Sequence, residues 1–222
     1  MQSIKPKWIK KILILFLVIF ISYILYLNSL VKSQFSSEIE PKDNVVQIQN
    51  LIDDYPKELI NMLLLVEDQS FFNHKGVDFK EIFRVLYGYL FEEKELRGAS
   101  TITQQLIKNT LLSRDKTLAR KTDEALMAIL MEMSYDKNFI LERYMNTVYL
   151  AQQGSTAIHG FASGSLHYFD KDVESLNLEE MATLVALLKG PSYYNPVNSP
   201  ERLSRRVEMI LSMHKNYKKI IQ

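Results

Sequence analysis

Three groups of residues in this chain have the types and spacing for chemistry. Glu67 and Asp68 end the apolar stretch Leu59 to Val66 and precede a loop holding Phe71, Phe72, His74 and Gly76. A carboxylate at the end of an apolar helix, beside two aromatic rings, is partly desolvated, and that suits a group which must take up and hand on a proton. A solvated helix end is the plain alternative for Glu67, and ordering the loop by hydrogen bonds is the plainer role for His74. The second group is RGASTITQQLIKN, residues 97 to 109. Gly98 lets the backbone turn, and Ser100, Thr101, Thr103, Gln104 and Gln105 crowd hydrogen-bonding groups near a helix start, where backbone donors favour an anionic or sugar ligand. An ordinary N-cap at Ser100 with a polar solvent face is the alternative. In the third group Arg120 and Glu124 stand four apart, on one helix face, and the following residues 125 to 131 are wholly apolar. Glu124 therefore starts a stretch buried on most sides. A buried carboxylate needs a partner, and an ion pair with Arg120 or Lys121 would supply one without any ligand.

Composition narrows what these groups can do. The 222 residues are 47% hydrophobic and 24% charged, enough for one or two packed cores and unlike a disordered or fibrous chain. Cysteine is absent, which excludes disulfides, thiolate metal sites and a cysteine nucleophile. The net charge of +1 hides an uneven distribution, because five lysines and no acid lie in residues 1 to 32 and the body from residue 33 onward is net −4. A nucleic-acid partner is thereby disfavoured, since it needs a broad basic face. Inside the acidic body one basic island stands out, Arg97, Lys108, Arg114, Lys116, Arg120 and Lys121, with Asp115 the one acid among them up to Lys121. Such a cluster suits a phosphate or pyrophosphate. His159 and His167 have no acid at metal-ligand spacing and read as structural. S-x-x-K matches such as Ser29 to Lys32, Ser113 to Lys116 and Ser134 to Lys137 occur without an S-D-N or K-T-G companion, so a serine acyltransferase of the penicillin-binding type is not encoded.

The elements that must position these groups are mostly helices, because apolar residues recur at helical spacing and only 7 glycines and 6 prolines interrupt them. Ile12 to Val31 carries no charge and is long enough to cross a hydrocarbon layer of about 30 Å. Four lysines precede it and Lys32 follows, which places the N-terminus in the cytoplasm and the rest on the outer face of the membrane. A cleaved signal peptide is the alternative, disfavoured by the length of the run and the lack of an A-x-A-like site. The expected organisation is a cytoplasmic tail at 1–11, an anchor at 12–31, a linker or short extended segment at 32–55 and one domain at 56–222. Helices are predicted at 56–69, 79–92, 100–112, 116–134, 137–150, 155–168, 178–189 and 200–219. Asp78 with Glu81 and Asn177 with Glu180 are capping boxes, and Ser199-Pro200 is a third start signal.

These residues resemble the peptidoglycan glycosyltransferases, found as monofunctional enzymes and as the N-terminal domain of bifunctional penicillin-binding proteins. The family's E-D-x-x-F-x-x-H-x-G-x-D falls on Glu67, Asp68, Phe71, His74, Gly76 and Asp78, and its second motif runs from Gly98 to Asn109. R-K-x-x-E falls on Arg120, Lys121 and Glu124, ILERYMN at 140–146 continues it, and GPSYYNP at 190–196 with Arg206 resembles the closing motif. The resemblance covers about residues 55 to 215. It implies an all-α, lysozyme-like lobe with a smaller membrane-proximal jaw, preceded here by one transmembrane helix. It also implies polymerisation of lipid II into β-1,4 glycan strands, with inversion at the donor anomeric carbon and loss of undecaprenyl pyrophosphate. Glu67 would be the base that takes the proton of the acceptor 4-hydroxyl. Glu124, with Lys108, Arg120 and Lys121, would stabilise the leaving pyrophosphate, and Ser100, Thr101, Gln104, Gln105 and Asn109 would line the substrate site. A divalent cation, Mg or Mn, at Glu124 is the one cofactor the resemblance suggests. The implied partners are lipid II, the growing glycan, membrane lipid and divisome or elongation-complex proteins, at the bacterial cytoplasmic membrane. The monofunctional form is expected, because no transpeptidase domain follows, and a truncated descendant or excised domain of a bifunctional enzyme, which the final segment resembles more closely, is the alternative. A lysozyme-like hydrolase with Glu67 as general acid and a catalytically silent scaffold are the competing expectations.

Overall fold

A computed structural model describes residues 7–36, 44–92, 98–113, 115–217 and 220–221. Arg97 and Arg114 of the basic island lie outside the described residues, as do residues 1–6 of the expected tail. The first helix, α1 (Lys7–Phe35), is long and apolar enough to cross a membrane. It runs past Val31, where the linker was expected to begin, because its last turns belong to the domain's core. Leu27, Val31 and Phe35, four apart on one face, are buried against later helices, and Tyr23 donates a 2.5 Å hydrogen bond to Asp123.

After the strand β1 (Val45–Gln47) the chain enters the lobe with α2 (Lys57–Glu67). The apolar face read from the sequence is nearly the whole helix: Leu59, Ile60, Met62, Leu63 and Leu64 are buried. This helix packs between α8 (Leu178–Leu187) and α9 (Pro200–Asn216). Burying such side chains contributes about 1.5–3 kcal/mol each, which makes α2 a rigid rod whose C-terminal end carries Glu67. The remaining helices are α3 (Phe79–Phe91), α4 (Ile102–Leu111), α5 (Leu118–Ser134), α6 (Lys137–Thr147) and α7 (Phe161–Phe169). Asn177 and Glu180 form the expected reciprocal cap of α8. Asp78 caps α3 through the Glu81 N–H, but the Glu81 carboxylate turns to Arg84 instead of closing the box.

The helices predicted over 137–150 and 155–168 are interrupted by a hairpin, β2 (Tyr149–Gln153) and β3 (Thr156–His159). β3 pairs antiparallel with β2 and parallel with β1, giving the order β1-β3-β2. Gly154, at φ +60°, makes the hairpin turn, and β-branched Thr156 and Ile158 favour the strand. Gly160, at φ +84°, ends β3 where a Cβ would stand 2.7 Å from the Asn146 carbonyl oxygen. Asn146 ties the segment after the anchor to α6. Its Oδ1 accepts from the Asn50 N–H at 3.0 Å and the Tyr55 hydroxyl at 2.9 Å, and its Nδ2 donates to the Asn50 carbonyl at 2.8 Å. The ILERYMN motif is thus partly a fastening. His159 is structural as expected, its ring Nδ1 lying 2.7 Å from the Thr147 carbonyl oxygen.

Candidate active site

The loop between α2 and α3 folds back onto α5. Gly76, at φ +86°, sits so close that a Cβ there would lie 2.5 Å from the Ala128 backbone, and its carbonyl accepts the Thr101 hydroxyl at 2.6 Å. Gly76→Ala is expected to cost at least about 3 kcal/mol, through left-handed strain and backbone overpacking together, and to abolish activity. Thermal unfolding of the variant checks this. The same loop is held by His74, whose Nε2 lies 3.0 Å and 3.1 Å from the Asp68 carboxylate oxygens. His74 therefore orders the loop, as the plainer reading had it.

A cavity of about 500 Å³ opens along this loop, lined on one side by Glu67, Asp68 and Ser70, on another by Lys80, Glu81 and Arg84 of α3, and on a third by Gly98 to Thr101. Glu67 is half-buried at its wall. The Gln105 Nε2 donates to Glu67 Oε2 at 2.9 Å, and the Tyr144 hydroxyl donates to Gln105 Oε1 at 3.1 Å. Burial, with the nearby Glu67 charge, pushes the Tyr144 hydroxyl well above its usual value, so it stays a donor and fixes which end of the Gln105 amide faces Glu67.

The N-cap of α4 is Thr101, not the Ser100 of the alternative reading. Its hydroxyl accepts the Gln104 N–H at 3.1 Å, and the Gln104 Oε1 accepts the Thr101 N–H at 3.2 Å. Gln104 is 2% exposed, so its amide is spent on the cap while Gln105 faces the carboxylate. Ser100, released from capping, accepts a 2.8 Å hydrogen bond from Lys121 Nζ. Lys121 also pairs with Glu124 Oε1, and Arg120 Nη1 donates to Glu124 Oε2 at 2.8 Å. Glu124 is 1% exposed and compensated by these two cations. Ser100 thus links the cavity to a buried carboxylate that holds two positive charges. Lys108 and Asn109 are exposed on the last turns of α4, and Lys116 is exposed before α5.

Both Glu124 oxygens are already engaged by Lys121 and Arg120, and among the described residues no group of three or more His, Asp or Glu could hold a metal ion. The residues present do not fit a divalent cation at Glu124. Sequence reasoning paired Asp68 with Glu67 without a role of its own, and did not single out Tyr144 or Glu132. Asp68 accepts the Ile102 N–H at 2.9 Å, which fixes the first turn of α4. Its adjacency to Glu67 was the available signal, whereas the hydroxyl of Tyr144 meets Gln105 only through tertiary packing.

Residues 33–215 match the family model of the transglycosylases. Among curated proteins, the chain is 40% identical over 178 residues to penicillin-binding protein 1B of Haemophilus influenzae, covering 80% of this chain and 23% of that protein. It is 42% identical over 159 residues to penicillin-binding protein 1B of Escherichia coli, with 72% and 19% covered. It is 45% identical over 161 residues to penicillin-binding protein 1A of Neisseria lactamica, with 72% and 20% covered. The chain therefore spans about a fifth of the length of these relatives.

Proposed function

The chain belongs to the peptidoglycan glycosyltransferase family, and from that premise we propose that it polymerises lipid II into β-1,4 glycan strands with release of undecaprenyl pyrophosphate. The observation that carries this reading is the contrast between the two glutamates. Glu67 stands at the cavity wall with one oxygen held by the neutral Gln105, a wiring suited to accepting a proton. Glu124 is spent on positioning Arg120 and Lys121, a wiring suited to receiving negative charge beside it.

In this mechanism the acceptor 4-hydroxyl gives its proton to Glu67 as its oxygen bonds to the donor anomeric carbon. The bond from that carbon to the pyrophosphate breaks on the opposite face, which inverts the configuration. The departing pyrophosphate takes up the electron pair beside Lys121 and Arg120, and Ser100 aims the Lys121 ammonium towards the cavity. Lys108 and Asn109 extend the donor side along α4.

A lipid-linked substrate must be met at the bilayer surface, and two features suit that. α1 is the anchor, with the N-terminus inside and the lobe outside. On α3, Phe79, Phe83, Leu86, Leu90 and Phe91 are exposed, an apolar face fitting the membrane-proximal jaw of the family. The lobe thus works on the outer face of the cytoplasmic membrane, where divisome or elongation proteins would recruit it.

The test is to give detergent-solubilised protein either lipid II or purified sacculi. Lipid II consumed with one undecaprenyl pyrophosphate released per linkage is expected. Digestion of sacculi without lipid II consumption would instead establish the hydrolase. The two cations gathered at Glu124 argue against the hydrolase, because cleaving a finished glycan involves no pyrophosphate leaving group.

A further inference from the structure

Behind the cavity lies a second polar network that the proposed chemistry does not use. Glu132, on α5 two turns after Glu124, has a side chain only 2% exposed. Its Oε1 accepts the Thr103 hydroxyl at 2.7 Å and the Lys137 ammonium at 2.7 Å, and lies 3.7 Å from His74 Nδ1. Thr103 is fully buried, and the Lys137 ammonium lies over the Phe71 ring, 4.3 Å from its centre. Three elements thus converge on one carboxylate: α4 through Thr103, α6 through Lys137 and the loop after α2 through His74.

Burying several ionisable groups is a poor way to gain stability, since apolar residues of similar size often do better, and what this network does is tie the elements it joins to one another. Two hydrogen bonds flank α4. Glu67 meets Gln105 on one side of α4, and two residues earlier Thr103 meets Glu132 on the other side. His74 is bonded to Asp68, which adjoins Glu67 in the chain, while the His74 Nδ1, 3.7 Å from Glu132, makes no hydrogen bond to it. Asp68 also grips α4 directly through the Ile102 N–H. A turn of α4 about its axis would break the Thr103 and Gln105 contacts together.

We propose that Thr103 and Glu132 are positioning residues whose hydrogen bond sets the rotation of α4, and thereby holds the Gln105 amide on the Glu67 carboxylate. This rests on the reading of Glu67 as the proton acceptor. Neither residue touches the substrate. Their effect on the reaction runs through Gln105, and a displacement of about 1 Å at such a contact costs up to about a hundredfold in rate.

The test compares Thr103→Val, which keeps the shape and loses the hydroxyl, with Thr103→Ser, which keeps the hydroxyl and loses a methyl. Thr103→Val is expected to lower kcat for lipid II polymerisation about tenfold or more, with KM within about twofold, while Thr103→Ser stays within about threefold of the unmutated protein. In parallel, the Gln105 side-chain amide is followed by 15N NMR, assigned by its absence in Gln105→Asn. Its resonances should move and exchange faster in Thr103→Val but not in Thr103→Ser. Should the valine variant fail to fold, Thr103→Ala removes the same hydroxyl without its bulk. A purely structural Thr103 would lower the unfolding temperature of both variants and leave kcat and the Gln105 resonances unmoved, which would overturn the proposal. If the unmutated protein made no polymer, the reading of Glu67 would fail while the NMR comparison still decided whether Thr103 controls Gln105.

Discussion

Glu67→Gln should lower the rate of lipid II polymerisation by about 10² to 10⁴, the range a positioned general base supplies, while binding of lipid II stays within about threefold. The substitution keeps size and shape at a half-buried position on the cavity wall, and the new amide can still meet Gln105. The unfolding temperature should therefore hardly change. Initial rates with fluorescent lipid II, run beside equilibrium binding, separate the two effects. A variant retaining a tenth of the unmutated rate would remove the proton-accepting role from Glu67.

The second large effect is expected at Glu124, and it has two parts. Its carboxylate is the shared partner of Arg120 and Lys121, and Arg120 is itself mostly buried, with its Nε unpaired. Removing one member of a buried ion pair costs about 3–5 kcal/mol, a range to be lowered here because Lys121 is 45% exposed and can turn to water. Glu124→Ala should accordingly lose about 2–4 kcal/mol of stability. It should also lose about 10² to 10³ in kcat, because two cations aimed at the departing pyrophosphate are released from their positions. Glu124→Gln keeps a carbonyl oxygen for one of the two donors and should fall between. Chemical denaturation read beside kcat, measured well below the unfolding temperature, distinguishes the parts. A stability loss with kcat intact would reduce Glu124 to a structural ion pair.

Which features were legible in the sequence follows from how far their causes reach. Glu67, His74 and Gly76 fall within ten residues, and Asn177 with Glu180 within four, so spacing alone described them. The N-cap of α4 was not legible in the same way. Ser100 and Thr101 are equally good caps locally, and the choice is made by the Thr101 hydroxyl reaching Gly76, 25 residues away. Similarly, the apolar periodicity of residues 155–168 hid the hairpin, although Gly154, β-branched Thr156 and Ile158, and Gly160 were its signals. The docking of α1 through Tyr23 and Asp123, and the contact of Thr103 with Glu132, join residues 100 and 29 apart, beyond any local pattern. Glu124 was recognisable as buried because an apolar run follows it. That both its oxygens are engaged by Lys121 and Arg120 became visible only with the side chains in place.

The most direct test of the account is a structure of the full chain, in detergent or nanodisc, with a non-hydrolysable lipid II analogue as donor and a short glycan as acceptor. The account predicts the pyrophosphate within hydrogen-bonding distance of Lys121 and Arg120, and the acceptor 4-hydroxyl beside Glu67. A pyrophosphate seated instead on Lys80 and Arg84, with Glu67 facing no sugar hydroxyl, would contradict it.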